Sequence, residues 1–354
     1  MALKILFISH NFTPFIGGIE VISQMLAEAF TRDGHEVHLL TWSKDKSGKT
    51  FPYEVIRNPN ILTLFREHSW ADMVFENNPC LRLSWPAILF KKPLVVTLQT
   101  WVSRVNGKIS FKDKLKLKWL KRADQVISCS KAIQLGCFPE SIVIHNPYQE
   151  DLFRVIPSIK RNKDFVFLGR MVSDKGAELA IRAFHEINKS DLNDPNLSLT
   201  MVGGGPERKN LQNLVKQLNL QNKVTFTGCL VGEELVNCLN QHKFLLIPSI
   251  WEEPFGIVAL EGMASGCLPI ASDGGGLPEA TGEVGLIFKR GDLDDLVNCM
   301  QKVINQDGLK EKLLKKAQSH LANHNSSGIS SKYLGVIKMT YKKKSFSNPQ
   351  KVSV

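Results

Sequence analysis

The sequence predicts an α/β protein of two doubly wound domains, each a parallel sheet covered by helices on both faces. Three observations carry that expectation. Short apolar runs of strand length alternate with amphipathic stretches of helix length along nearly the whole chain. The alternation lapses once, over 148–161, and so divides into two series. A chain of 354 residues is also too long for one ordinary domain and suits two.

The first series opens with a strand at Lys4–Ser9, a loop holding Gly17-Gly18, a helix over Ile19–Arg32 and a strand at Glu36–Trp42. Ile22, Met25, Leu26, Ala29 and Phe30 recur at helical spacing, and Gly34 stands where a C-terminal stop belongs. That is a β-α-β unit. Strands follow at Met73–Phe75, Leu94–Leu98, Gln125–Cys129 and Ile142–His145, while Ser43–Pro59 reads as an irregular connection. The second series places strands at Phe165–Leu168, Leu197–Val202, Val224–Thr227, Phe244–Pro248, Leu268–Ser272 and Leu286–Phe288. Its helices are Gly176–Asn188, Pro206–Leu218, Glu233–Asn240, Ile257–Ser265, Leu293–Asn305 and Lys310–Ala317. The plan is an N-terminal domain over 1–150, a linker over 151–161 and a second domain over 162–325, with a cleft between the two. Ligands of such sheets bind outside the carboxyl ends of the strands.

Composition narrows the class. Hydrophobic residues make up 43% and charged residues 22%, which excludes a disordered or fibrous chain. No apolar run approaches the ~20 residues that span a bilayer, and the first ten residues read as a strand rather than a signal peptide. A soluble, cytoplasmic protein is expected. The seven cysteines are scattered and never paired as C-x-x-C, which argues against a disulfide framework or a zinc site and suits a reducing compartment. The net charge of +11 is uneven. Residues 1–160 carry 21 Lys/Arg against 14 Asp/Glu, residues 161–324 carry 18 against 20, and the last thirty carry six lysines and no acid. An anionic partner for the first half follows: a membrane surface, an acidic acceptor or nucleic acid. No helix-turn-helix, zinc finger or aromatic RNA-binding motif supports the last of these.

The densest chemistry lies in Trp251-Glu252-Glu253-Pro254-Phe255-Gly256-Ile257-Val258-Ala259-Leu260-Glu261, directly after a strand. Pro254 and Gly256 interrupt regular structure, so Glu253 is held in the loop and Glu261 lies inside the helix. The pair can present two carboxylates to one elongated polar ligand, with the N–H groups of Phe255, Gly256 and Ile257 open to phosphate oxygens. A capped helix with two solvated acids is the alternative. In Gly169-Arg170-Met171-Val172-Ser173-Asp174-Lys175-Gly176, Arg170 offers a fork of donors and Lys175 a point charge, which together suit a diphosphate leaving group. An exposed basic turn is the other reading. Gly203-Gly204-Gly205-Pro206 lacks the G-x-G-x-x-G spacing, so it either lets a backbone approach a ligand or simply turns the chain. Gly274-Gly275-Gly276 is open to the same two readings.

Taken together, these motifs resemble the family 4 glycosyltransferases, which have the GT-B fold. The resemblance also includes Pro14-Phe15-Ile16-Gly17-Gly18-Ile19-Glu20, Gly34-His35-Glu36-Val37, Asn146-Pro147 with Phe153, and Pro248-Ser249 leading into Glu253 and Glu261. It continues through Gly262–Ile270 and Gly275–Glu279. It implies a retaining, metal-independent transfer of a sugar from a UDP- or GDP-type donor, with no cofactor beyond that co-substrate. Glu253, Arg170 and Lys175 would then be catalytic: Glu253 on sugar hydroxyls near the reacting carbon, the two cations on the diphosphate. Glu261 would hold the ribose hydroxyls, and Gly169, Gly204, Phe255, Gly256 and Ile257 would complete donor binding. Gly17, Gly18 and Gln99 would line the acceptor side, facing a glycan or lipid-linked acceptor. The resemblance also implies a last helix returning to the N-terminal domain within 326–345, centred on Ser330–Tyr341, before a polar tail over 346–354.

The chain departs from the family pattern in three ways. Many relatives carry a histidine where this chain has Thr97-Leu98-Gln99-Thr100, and Gln99 can only hydrogen-bond. The usual Glu-Ala is Glu261-Gly262, which weakens a helix by ~1 kcal/mol. The N-terminal domain is also short. A nucleotide-sugar epimerase of the same fold, or a catalytically silent nucleotide-sugar binding subunit, stands as the alternative.

Two further segments complete the reading. Asp292-Leu293-Asp294 looks like a metal-binding D-x-D but precedes a helix, where Asp292 suits an N-cap. Arg104–Arg122 sets eight Lys/Arg against Asp113 alone, interleaved with Phe111, Leu115, Leu117, Trp119 and Leu120. It fits peripheral contact with anionic lipid, or a solvated helix with one side in the core.

Overall fold

The structure, a computed structural model, describes residues 1–14, 17–45, 48–102, 109–189 and 196–346. The chain divides into two compact units, one of Met1–Pro147 together with the segment from Ser326 onward, the other of Tyr148–Asn325.

The first unit is built on seven strands: β1 (Lys4–Ile8), β2 (Glu36–Thr41), β3 (Glu54–Arg57), β4 (Met73–Asn77), β5 (Leu94–Leu98), β6 (Gln125–Ser128) and β7 (Ile142–Val143). They pair in the order β3-β2-β1-β4-β5-β6-β7, all parallel, with Ile5 opposite both Val37 and Met73. All five residues of β5 are buried, so it reads in sequence as a continuous apolar run rather than an alternation. The connections carry α1 (Gly18–Arg32), α2 (Ile61–Trp70), α3 (Leu81–Ser84), α4 (Pro86–Leu89), α5 (Phe111–Leu120) and α6 (Lys131–Cys137).

The second unit repeats the plan with β8 (Lys163–Leu168), β9 (Leu199–Val202), β10 (Val224–Gly228), β11 (His242–Ile247), β12 (Leu268–Ser272) and β13 (Leu286–Phe288). The order is β10-β9-β8-β11-β12-β13, again parallel. Its helices are α7 (Ala177–Lys189), α8 (Arg208–Gln217), α9 (Gly232–Asn240), α10 (Ile257–Ala264), α11 (Leu277–Thr281), α12 (Leu293–Asn305), α13 (Leu309–Leu314) and α14 (Ala317–Ala322). Phe165, Phe167, Ile181, Phe184, Met201 and Leu246 centre its core. Both sheets show the doubly wound order of the GT-B class, and each reverses once, between β1 and β4 in one and between β8 and β11 in the other.

The terminal helix α15 (Ser326–Phe346) spans the segment 326–345 where a last helix was expected and packs on α1 and β5 within the first unit. Tyr333 is fully buried there, edge-on to Phe75 with ring centroids 5.9 Å apart. Lys338 reaches Asp33 at 2.9 Å and Lys344 reaches Asp124 at 2.7 Å.

Several expectations are corrected. The connection expected over Ser43–Pro59 contains β3, an edge strand whose half-buried residues give no apolar run. Helix α2 went unread although Asn60 caps it, its side chain accepting from Thr63 N–H at 2.9 Å. The helix expected over Lys310–Ala317 is instead two helices, α13 and α14. The segment 151–161 is not a free linker but part of the second unit. Asn240 accepts from Ile156 N–H at 2.7 Å and donates to the Arg154 carbonyl at 2.9 Å. Arg161 donates to the carbonyls of Leu239 at 3.1 Å and Ser265 at 2.7 Å, and Phe153 is buried. Of the basic stretch, α5 begins at a capping box between Ser110 and Asp113, while Arg104 and Lys108 lie outside the described residues, as do Phe15 and Ile16. No helix among the described residues is long and apolar enough to cross a membrane.

Candidate active site

The sequence-predicted residues of the second unit gather at the carboxyl edge of its sheet, where β8 and β11 reverse the strand order and ligands of such sheets bind. After β8 come Gly169, Arg170 and a single 3-10 turn, Ser173–Lys175. Gly176 follows at φ +69°, and a Cβ there would stand 1.8 Å from the Pro248 carbonyl oxygen. Only glycine lets the two loops close that far. The Asp174 carbonyl then accepts from the N–H groups of Ile250 at 2.9 Å and Trp251 at 3.1 Å, strapping the turn onto the loop after β11.

That strap brings Lys175 to Glu253. The ammonium donates to Glu253 Oε1, which also accepts from Ser249 Oγ at 2.6 Å. Oε2 has no hydrogen-bond partner among the described residues. Lys175 lies 5.5 Å from the centre of the Trp251 ring, and only 8% of Glu253 is exposed. The Glu253 backbone is braced from behind, with Gly276 N–H donating to its carbonyl at 2.7 Å. Gly275, at φ +65°, lies so near that a Cβ would be 2.1 Å from that oxygen. This run of glycines therefore serves the backbone of the Glu253 loop.

Phe255 is buried and anchors the loop, its ring 5.6 Å from His324. Gly256 caps α10 at φ +103° and Ile257 opens the helix, so first-turn N–H groups are left without intrahelical acceptors. Glu261 sits one turn further along. The residue is half-buried, and its carboxyl has no hydrogen-bond or ion-pair partner among the described residues. Desolvation pushes its pKa up to about 7. The departure at Gly262 has a packing cause: a Cβ there would lie 2.4 Å from Leu245 Cδ2, so glycine lets α10 rest directly on β11.

Arg170 is exposed and without a side-chain partner among the described residues. Gly204 accepts from Met171 N–H at 2.8 Å. Its neighbours Gly203 and Gly205 would place a Cβ 1.9 Å from the Gly169 carbonyl and 2.3 Å from the Met171 carbonyl. The triple glycine thus seats the loop after β9 against the loop bearing Arg170. Asp292 caps α12, its Oδ1 accepting from Asp295 N–H at 3.1 Å.

Gly17, Gly18 and Gln99 belong to the first unit. Gly17 is the N-cap of α1 in extended conformation, and Gly18 is its first residue. Gln99 follows β5 and is buried, its N–H donating to Asn78 Oδ1 at 3.3 Å. Sequence reasoning gave no role to three groups that shape the site: Ser249, Trp251 and the Asp174 carbonyl. Ser249 was visible only as part of Pro248-Ser249, and nothing in spacing marks a backbone carbonyl as a strap.

Residues 149–320 match the family described as Glycosyl transferases group 1. An uncharacterized glycosyltransferase of Methanocaldococcus jannaschii is 27% identical over 332 residues, covering 78% of this chain and 82% of the relative. The D-inositol 3-phosphate glycosyltransferase of Corynebacterium jeikeium is 32% identical over 171 residues, 46% of this chain and 40% of that protein. Among solved structures, Anabaena HepE, crystallised with UDP and glucose, superposes with a TM-score of 0.82 at 20% identity, covering 95% of this chain and all of that one. The sucrose-phosphate synthase of Thermosynechococcus elongatus gives 0.77 at 22% identity, covering 96% and 100%. The fold, the motif-bearing sheet edge and the match of residues 149–320 to the glycosyl transferases group 1 agree, and the chain is a glycosyltransferase.

Proposed function

We propose that the chain transfers a hexose from a UDP- or GDP-type nucleotide sugar to a glycan or lipid-linked acceptor, retaining the anomeric configuration and using no metal. The observation that carries the donor reading is Glu261, a largely desolvated carboxylate with no partner among the described residues, one turn into the helix that follows the Glu253 loop. An unpaired carboxyl in such a place costs stability, and the two hydroxyls of a ribose would satisfy it.

Arg170 and Lys175 hold the diphosphate in this reading. The bond between the anomeric carbon and the phosphate oxygen breaks with its electron pair going to the phosphate, where the two cations offset the growing charge. The acceptor hydroxyl oxygen bonds to that carbon, and its proton passes to the departing phosphate. Glu253 keeps Oε2 for a hydroxyl of the sugar. Retention rests on the motif resemblance, and proton NMR of the product tests it: the opposite anomer would overturn it. Activity unchanged by excess chelator is the outcome expected of a metal-independent transfer, and its abolition would contradict it.

The acceptor side is assigned to the first unit, with Gly17, Gly18 and Gln99. Outside it, α5 and its flank expose Ile109, Phe111 and Leu115 among Lys112, Lys114, Lys118, Lys121 and Arg122. That face suits peripheral contact with an anionic membrane on its cytoplasmic side. Anionic vesicles should sediment the protein at low salt; no sedimentation removes the membrane from the proposal.

A further inference from the structure

Trp251 stands where the two loops of the second unit's site meet. Its backbone N–H donates to the Asp174 carbonyl at 3.1 Å, one residue before Lys175. The ring and the ammonium therefore start from two points that a backbone hydrogen bond ties together. The indole is half-buried, and Lys175 Nζ lies over it, 5.5 Å from the ring centre. A cation within about 6 Å of an aromatic face is attracted by the ring quadrupole, and tryptophan attracts most strongly. Lys175 is thus restrained twice, by the Glu253 carboxylate and by the Trp251 ring.

The two restraints differ in kind. An ammonium has three N–H donors; Glu253 Oε1 accepts from one of them, and two remain for another acceptor. Among the described residues Glu253 is the one carboxylate in an ion pair with Lys175. The neighbouring acid, Glu252, is drawn to Arg290 at 3.0 Å, and the Arg290 N–H donates to Asp273 Oδ1 at 2.8 Å. A second carboxylate on Lys175 would fix it equally well but would cancel its attraction for an anion. A ring face orders the flexible four-carbon stem without bringing a formal charge. It also keeps water from one side of the ammonium, which strengthens the pull of its remaining N–H groups on an anion.

We infer that Trp251 is a positioning residue for the transfer, holding the Lys175 ammonium in the pose that receives the diphosphate of the donor. The inference rests on the donor reading above, in which Lys175 holds the diphosphate, and deepens it to a residue that acts through Lys175. The indole takes part through its face and its fixed backbone, and no bond to it forms or breaks.

The test is calorimetric titration of the full-length protein with UDP and with GDP, at a temperature where every variant is folded. The variants are Trp251→Leu, Trp251→Phe, Lys175→Ala and the double variant Lys175→Ala with Trp251→Leu. Trp251→Leu keeps the backbone strap and an apolar side chain but removes the π face. It should weaken the bound diphosphate about three- to tenfold, and Trp251→Phe, which keeps an aromatic face, should recover most of that loss. With Lys175 already replaced by alanine, Trp251→Leu should cost nothing further, because the residue through which it acts is gone. A residue that only packs the loop would give the same loss in both backgrounds and no rescue by phenylalanine. Either of those results, or an unchanged affinity in Trp251→Leu, overturns the inference while the wild type's own binding leaves the donor reading standing. A wild type that binds neither diphosphate overturns the donor reading and this inference with it.

Discussion

Lys175 and Glu253 stand 78 positions apart in the chain and meet in one hydrogen-bonded ion pair, with Ser249 Oγ on the same carboxylate oxygen. The pair is mostly shielded, with 19% and 11% of the two side chains exposed. It sets Lys175 beside Glu253 Oε2, which has no partner among the described residues. Lys175→Ala and Glu253→Gln should each lower kcat by about 10²–10³-fold in a folded protein, as removal of a transition-state electrostatic contact does. On stability, a double-mutant cycle from urea unfolding should return a coupling of about 1–3 kcal/mol. Additive single-mutant effects would mean that the two residues do not act as a pair.

Gly176 makes that meeting possible. With φ at +69° and the Pro248 carbonyl where a Cβ would go, Gly176→Ala must push the two loops apart. We expect a loss of about 2–4 kcal/mol in unfolding free energy, together with a fall in activity at temperatures where the variant is still folded. Activity equal to wild type at such a temperature would show that the strap does not set the position of Lys175.

Glu261 gives a dependence on pH with a definite sign. Its folded pKa, about 7, lies above the ordinary 4.5, so the folded state holds the proton more tightly than the unfolded chain. The stability it contributes is complete below pH 4.5 and is lost as pH rises to 7, above which a partly desolvated charge remains. Glu261→Gln should therefore stabilise the ligand-free protein at pH 8 by ~2 kcal/mol and change little at pH 4, as read by thermal unfolding at the two values. Equal effects at both pH values would contradict the raised pKa.

How much of this was legible in sequence depended on what each residue answers to. The buried strands β5 and β12 match their predicted bounds because a strand covered on both faces must be apolar throughout. Strand β3 escaped because an edge strand with half-buried residues has no such constraint. The loops that carry Arg170, Lys175 and Glu253 could be placed from sequence, since they directly follow the apolar strands β8 and β11. What spacing could not show is that Gly203, Gly205 and Gly275 face backbone rather than open space, or that Glu261 has no partner among the described residues. Those facts depend on neighbours from distant parts of the chain. The segment 151–161 looked like a linker because its bonds run through the Asn240 and Arg161 side chains rather than through an apolar pattern.

Asn240 tests that last point. It is fully buried and ties the carbonyl of Arg154 and the N–H of Ile156 to α9. Asn240→Ala leaves both backbone groups unsatisfied and should cost about 2–4 kcal/mol in urea unfolding, without changing nucleotide affinity while the protein is folded. A cost below 0.5 kcal/mol, within the ordinary range for a surface change, would make 151–161 a linker after all.

The most direct measurement of the central claim is thermal unfolding of the wild type and Glu261→Gln with a panel of nucleoside diphosphates and nucleotide sugars at pH 8. At a hundred times its dissociation constant a ligand adds about 2.7 kcal/mol of stability. The account predicts a clear upward shift with one uridine or guanosine diphosphate class. In Glu261→Gln the affinity for it should fall about tenfold or more, as expected when a charged hydrogen-bond acceptor is lost. No shift with any nucleotide, or a shift that Glu261→Gln leaves intact, would contradict the assignment of this sheet edge as the donor site.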